Sequence, residues 1–534
     1  MHVSPLPSSA LHSLPTSLDV SASPLSNSLF SLRASLRSLP AFWFSVPADM
    51  SNMPALVDDY HCDAPLELPF AALPPLLSRC ALSLRALSPG EPGAGAPNVA
   101  LFAENSALWL VADHGIQLAG AASAVRGADA PPDELRYIYE NSDSSVAILQ
   151  GPSLFSKLRD DASRLGLPAP LGLSGSRGDV EHVVLLHRGG LSDAELAELA
   201  ASVPRVRLHV FSELLAAAAP DDASAVRAAE PLLPLLEPGT LATIVYTSGT
   251  TGRPKGVTLS HANLLHQLRH RLQPTRPYDE AEPRPGEVML SLLPVWHITE
   301  RTFEMWQLAR GCAIVYSSIK TFKKDMARWK PQWLVLVPRV LEKVAGGVEA
   351  KFASGSAAQR GIVKLASRAG RARNAYKRIA GGLVVGERPG LARRLAARGK
   401  AALLKPAALA GDKLVWSKVR AGFGGRLKCI IAGGSATATA LESFYDLAGI
   451  QIIGGYGLTE CSPLLSFRRG DENLKAGVGK PCHDTQVKVV DPATGAEVGT
   501  GEVGLVKARG PQVMSGYYRN EAATKAAIDE EGCE

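Results

Sequence analysis

From about residue 98 to residue 453, short apolar runs alternate with segments of helical spacing, and this alternation most narrows what the chain can fold into. Asn98–Phe102 reads as a strand. Residues 107–121 read as a helix, with apolar side chains three and four apart. Residues 146–149, 183–186, 207–211, 241–246, 288–292, 313–316, 333–337, 427–431 and 451–453 continue the strand-like series. Residues 193–202 and 212–218 look helical between them. Such alternation predicts an α/β fold of layered, largely parallel sheets flanked by helices. With 534 residues, 46% apolar and 20% charged, the chain is globular in composition and long enough for a large core.

Seven cysteines (Cys62, Cys80, Cys312, Cys429, Cys461, Cys482, Cys533) are scattered and form no CxxC pair, which predicts reduced, mostly buried thiols rather than a zinc site or disulfide framework. No run of 18 apolar residues occurs, so no spanning helix is predicted. Residues 1–45 differ from the rest: 13 serines, Arg33 and Arg37 as the basic residues, and Asp19 as the one acid. A segment that must stay unfolded during organelle import has this composition, so a transit peptide over 1–45 is expected, a disordered tail being the alternative. Residues 343–420 hold 18 Lys or Arg against Glu349, Glu387 and Asp412, in an Ala-rich stretch of helical spacing. This basic helical insertion is either a solvated addition or a face for an anionic membrane or an acidic carrier protein. Few aromatics accompany the charge (Phe352, Tyr376, Trp416), which argues against nucleic acid.

The densest chemistry lies in Tyr246-Thr-Ser-Gly-Thr-Thr-Gly-Arg-Pro-Lys-Gly256, between the strand-like run ending at Val245 and a helix predicted over 262–272. Gly249, Gly252 and Gly256 let backbone N–H groups approach a phosphate closely. Thr247, Ser248, Thr250 and Thr251 add hydroxyl donors, and Lys255 adds a positive charge. Counted from Gly249, the glycine that a Walker loop requires before its lysine is Pro254, and Gly256 replaces the Ser or Thr after it, so that NTPase class is excluded.

This loop resembles, residue for residue, that of the adenylate-forming (AMP-binding) superfamily: acyl-CoA synthetases, luciferases and peptide-synthetase adenylation domains. Three segments match in the same order. Leu293-Pro-Val-Trp-His-Ile298 is similar to an aromatic–His segment beside the acyl pocket, Gly433-Gly434-Ser435 to a glycine turn by the adenine and acyl sites, and Gly455-Tyr-Gly-Leu-Thr-Glu460 to the adenine and magnesium segment. Leu110-Val-Ala-Asp-His-Gly-Ile116, Trp296-His-Ile-Thr-Glu-Arg301 and Gly510-Pro-Gln-Val-Met-Ser-Gly-Tyr517 look closest to plastid and cyanobacterial long-chain acyl-acyl-carrier-protein synthetases.

The resemblance implies ATP-dependent activation of a long-chain fatty acid to an acyl-adenylate, with transfer to the thiol of coenzyme A or a phosphopantetheinyl acyl-carrier protein. The implied ATP-binding residues are Thr247, Ser248, Gly249, Thr250, Thr251, Gly252, Lys255, Gly433, Gly434, Ser435, Tyr456, Gly457 and Thr459. Tyr456 offers a face for adenine. Glu460 would hold Mg²⁺, a hard cation that prefers oxygen ligands, and Thr459, Glu460, Lys255 and His297 are the implied catalytic set. Residues 54–534 would form the adenylation domain. The family continues past the position of Glu534 with a Trp-Phe-x-Thr-Gly-Asp segment, a hinge and a small mobile domain with a lysine. For a chain ending at Glu534 the expectation is weak ATP binding and poor adenylation, and the alternative reading is a catalytically impaired nucleotide- or acyl-binding fragment. The expected location is the plastid, or else the cytoplasm or a membrane periphery.

Overall fold

The computed structural model describes residues 36–88, 97–167, 170–171, 181–247, 252–269, 282–470, 472–529 and 531–533. Two large sheets form the body. The first has nine strands in the order Lys480–Pro481, Leu464–Phe467, Gln451–Gly457, Cys429–Ala432, Trp333–Leu336, Val288–Ser291, Ala313–Tyr316, Pro54–Asp58 and Leu66–Pro69. Its six inner strands, from Gln451–Gly457 to Pro54–Asp58, are parallel, and antiparallel strands close both edges. The second has eight: Gly516–Tyr517, Lys255–Ser260, Leu241–Thr247, Ser123–Arg126, Asn98–Phe102, Ser144–Leu149, Glu181–Leu185 and Val206–Val210. All but the first two of these are parallel. Helices cover parallel strands on both faces, which explains why Trp333–Leu336 and Cys429–Ala432 are apolar runs, fully buried, and not alternating.

One core joins the sheets. Leu56, Ile314 and Val335 of the first and Val99, Val125 and Val245 of the second belong to a single cluster, with Trp109 and Ile116 between them. Those two residues lie on helix Ala107–Leu118, buried almost all round as an interior helix must be. Six of the seven cysteines are buried and all are free thiols, and among the described residues no helix is long and apolar enough to cross a membrane.

Two expectations change. The helix expected over 262–272 is present, but the loop after Thr247 does not lead straight into it. It returns as strand Lys255–Ser260, antiparallel to Leu241–Thr247, and helix His261–Leu268 follows. Val257 and Leu259 are buried in the core, and Ser260 caps the helix by accepting from Asn263 N at 3.2 Å. The period-2 pattern Val257–Leu259 was masked by the glycines before it. The second change concerns the leader. Residues 1–35 lie outside the described residues, but 36–45, grouped with them by composition, are built into the body: Leu39, Phe42 and Trp43 are buried. Trp43 Nε1 donates to His114 Nδ1 at 3.1 Å, and Leu39 N donates to His261 Nδ1 at 3.3 Å. Burial depresses both imidazoles, His114 to about 4 and His261 to about 3, so each stays a neutral acceptor. Three large apolar side chains within a serine-rich stretch outweigh its composition.

Helix Ile298–Leu308 carries Glu300 and Glu304 one turn apart, both buried. Glu300 Oε1 accepts from Leu292 N at 3.1 Å, and Glu304 Oε2 accepts from Tyr316 at 3.4 Å. Burial pushes Glu304 up to about 7 from an ordinary 4.5, and burial with the neighbouring Glu304 pushes Glu300 well up. The fold therefore favours the protonated Glu304. That contribution is complete below about pH 4.5 and is lost as pH rises through about 7. Glu304→Gln, which cannot ionise, should gain about 2–3 kcal/mol relative to the natural chain between pH 5 and pH 8. Urea unfolding of both across that range tests this, and parallel pH profiles would refute it.

Candidate functional site

The site forms where the carboxyl ends of both sheets meet, the usual ligand position in parallel α/β layers. Gly433, Gly434 and Ser435 follow strand Cys429–Ala432 directly, with Gly434 at φ +81°. Its neighbour Gln451–Gly457 ends in Tyr456, exposed, and Gly457. A side chain at 457 is excluded: a Cβ there would lie 1.8 Å from the Pro463 carbonyl oxygen. Thr459, Glu460 and Cys461 then form a single 3₁₀ turn.

Lys255 opens its strand opposite Thr247 and comes from the other sheet. Gly252, at φ +117°, holds a backbone conformation that suits glycine. Ser248, Gly249, Thr250 and Thr251 lie outside the described residues.

One short segment ties the two sheets' contributions together. Gly516–Tyr517 pairs with Val257 and Thr258, beside Lys255. Tyr517 OH donates to Glu460 Oε1 at 2.7 Å, and Lys255 Nζ sits 5.1 Å from the centre of the same ring. Met514 N donates to the Glu460 carbonyl oxygen at 2.7 Å. The Tyr517 phenol thus stands between a cation on one sheet and a carboxylate on the other. Glu460 is half-buried, and its Oε2 has no hydrogen-bond partner among the described residues. A half-buried carboxylate with one oxygen not taken up by the protein fits a hard divalent ion that takes its other ligands from phosphate and water.

Below this lies a cavity of about 230 Å³, lined by Gly433, Gly434, Gly457 and Thr459 at one side and by Phe303, Trp306, Ile431, Ile453, Leu464 and Phe467 deeper in. Thr299, Thr302, Phe303 and Trp306 form one face of helix Ile298–Leu308 at three- and four-residue spacing. Buried Gln267 also lines it, holding the Leu464 peptide with Oε1 accepting from N at 3.3 Å and Nε2 donating to O at 3.4 Å. These deeper residues were missed in the sequence. Their signal was the helical face one turn beyond the aromatic–His segment.

His297 does not line the cavity. It is exposed, stands at the start of helix Ile298–Leu308 without a capping hydrogen bond from its side chain, and packs on Trp296 with ring centres 4.1 Å apart. Partial desolvation of the ring, and then the charge of Arg126, lower its pKa. The implied catalytic set thus divides: Thr459 lines the cavity, Lys255 and the adjacent Glu460 meet at Tyr517, and His297 does neither.

Two largely parallel sheets, a lysine and a carboxylate meeting at one tyrosine, and an apolar cavity beside them place the chain in a class of α/β enzymes. The family model "AMP-binding enzyme" matches residues 48–518, and the chain belongs to that family. It is 33% identical over 507 residues to "Probable acyl-activating enzyme 16, chloroplastic" of Arabidopsis thaliana, covering 93% of this chain and 66% of that one. It is 32% identical over 529 residues to "Long-chain-fatty-acid--[acyl-carrier-protein] ligase AEE15, chloroplastic" of the same plant, covering 95% and 68%. The chain thus spans about two thirds of the length of these relatives. The inhibitor-bound N-terminal domain of FACL13 from Mycobacterium tuberculosis superposes with TM-score 0.59 at 18% identity, covering 93% of this chain and 95% of that one, which is a likeness of fold.

Proposed function

We propose that the protein activates a long-chain fatty acid with ATP as its acyl-adenylate and passes the acyl group to a thiol, of coenzyme A or of an acyl-carrier protein. The observation that carries this is the meeting of Lys255 and Glu460 around Tyr517, with Thr459, the neighbour of Glu460, lining an apolar cavity. Two anionic substrates repel each other in water, and the site offsets that repulsion. Lys255 and the loop's N–H and hydroxyl groups attract the phosphates. At Glu460, bound Mg²⁺ would supply charge compensation as pyrophosphate leaves. Thr459 donates toward the α-phosphate, Tyr456 stacks on adenine, and Gly433, Gly434 and Ser435 let the nucleotide lie against backbone. Phe303, Trp306 and Phe467 take the acyl chain out of water, which holds its carboxylate oxygen for in-line attack on the α-phosphorus. No side-chain nucleophile is required.

The ligase named in one relative and the word "chloroplastic" in both support a plastid acyl-activating role. Acyl-dependent ATP–pyrophosphate exchange tests the reading. Palmitate should support exchange about tenfold better than an aromatic acid, because each buried methylene adds roughly 0.8 kcal/mol. Equal rates with both acids would remove the long-chain assignment, and no acid-dependent exchange would remove the activity. Supplying coenzyme A or a phosphopantetheinyl carrier protein next identifies the acceptor.

A further inference from the structure

The basic insertion folds into helices that include Ala357–Gly381, Leu391–Leu403 and Lys405–Gly411. Leu391–Leu403 is seated by small residues, Ala397 and Ala401, which are its buried positions and lie one turn apart. It leans on Ala357–Gly381, where Arg394 Nε donates to the Ala380 carbonyl at 3.1 Å and Lys400 Nζ lies 5.4 Å from the Tyr376 ring centre. At about 100° per residue, the arc directly opposite Ala397 and Ala401 holds Leu391, Leu395 and Leu403, with alanines and Gly399 between them and no charge. The three leucines are 73%, 55% and 81% exposed. Arg394 and Arg398 flank one side of this arc, Arg393 and Lys400 the other. An ordinary surface helix turns its apolar stripe inward; this one turns it out.

We propose that this outer face is a membrane-docking surface that lies in the plane of an anionic lipid bilayer. Leu391, Leu395 and Leu403 enter the boundary of the acyl region, while Arg398 on one flank and Arg393, on the other and half-exposed beside Glu387, reach up to headgroup phosphates; Arg394 and Lys400 hold the helix to Ala380 and Tyr376. Charge complementarity selects the occupant: 18 Lys or Arg stand against three acids over residues 343–420. An acidic carrier protein would also meet that charge. The apolar strip between two cationic margins is the pattern of an interfacial helix. The proposal stands apart from the ligase reading, since it concerns neither the cavity nor the nucleotide.

Flotation of the full chain with phosphatidylcholine vesicles, with and without phosphatidylglycerol, tests it. Binding is expected on the anionic vesicles. The triple change Leu391→Gln, Leu395→Gln, Leu403→Gln leaves the charge intact and should weaken that binding about tenfold or more. Leu395→Gln alone, expected to give a smaller loss in the same direction, serves if circular dichroism shows the triple variant unfolded. No binding to anionic vesicles overturns the proposal, as does binding that salt abolishes but the leucine changes leave untouched. So does a triple variant that loses an acidic carrier protein and keeps the vesicles.

Discussion

Glu460→Gln should lower acid-dependent ATP–pyrophosphate exchange about 10²–10³-fold, with little change in stability. The magnitude is that of removing one charge-stabilising group aimed at developing charge in a closed site. Glutamine keeps the size of the side chain, and its amide oxygen can still accept from Tyr517, which now holds Glu460 Oε1 at 2.7 Å. What the change removes is the negative charge. Magnesium dependence separates the explanations. If Glu460 holds the ion, the variant's residual exchange should require much more magnesium, and Tyr517→Phe, which keeps the charge and loses one hydrogen bond, should fall less. If Lys255 faces phosphate directly, Lys255→Ala should cut exchange by a comparable factor without moving the magnesium requirement. Unchanged exchange in Glu460→Gln would exclude the carboxylate from the reaction.

The residues that bring Lys255 and Glu460 together were only partly legible in the sequence. Glycines, hydroxyls and a lysine in eleven residues predict phosphate binding without knowledge of the fold. The strand runs announce parallel sheets because both faces are buried and alternation disappears. The contact through Tyr517 is different in kind. It joins positions 255, 460 and 517, and depends on an antiparallel edge pairing that local spacing does not encode. The cavity wall was hidden for a related reason. Phe303 and Trp306 share a helix with Glu300, Arg301 and Glu304, and that mixture hides which face is apolar until the second sheet is packed against it. Composition misled at residues 36–45, where serine content concealed Leu39, Phe42 and Trp43 as core residues.

Two stretches that resemble the plastid subgroup, 110–116 and 296–301, prove to be partners. Arg301 Nη2 donates to Asp113 Oδ2 at 2.6 Å, with Asp113 fully buried and Arg301 nearly so. Ser123 Oγ donates to Asp113 Oδ1 at 2.7 Å, Arg301 Nη1 donates to Thr243 Oγ1 at 2.9 Å, and the guanidinium lies 5.4 Å from the Trp109 ring centre. The pair thus joins helix Ile298–Leu308, which walls the cavity, to helix Ala107–Leu118 and the second sheet. Arg301→Met fills much of the same volume and leaves the Asp113 carboxylate buried without its cation, so a loss of about 3–5 kcal/mol is expected. Adding Asp113→Asn should restore part of it, because the unpaired charge is then gone even though the cation is not returned. Denaturant midpoints of the natural chain, the single and the double variant measure both terms. If the charge pair is what holds these layers, the double variant must be more stable than Arg301→Met alone; a double variant that is weaker still would assign the stability to packing and hydrogen bonds around Arg301 instead.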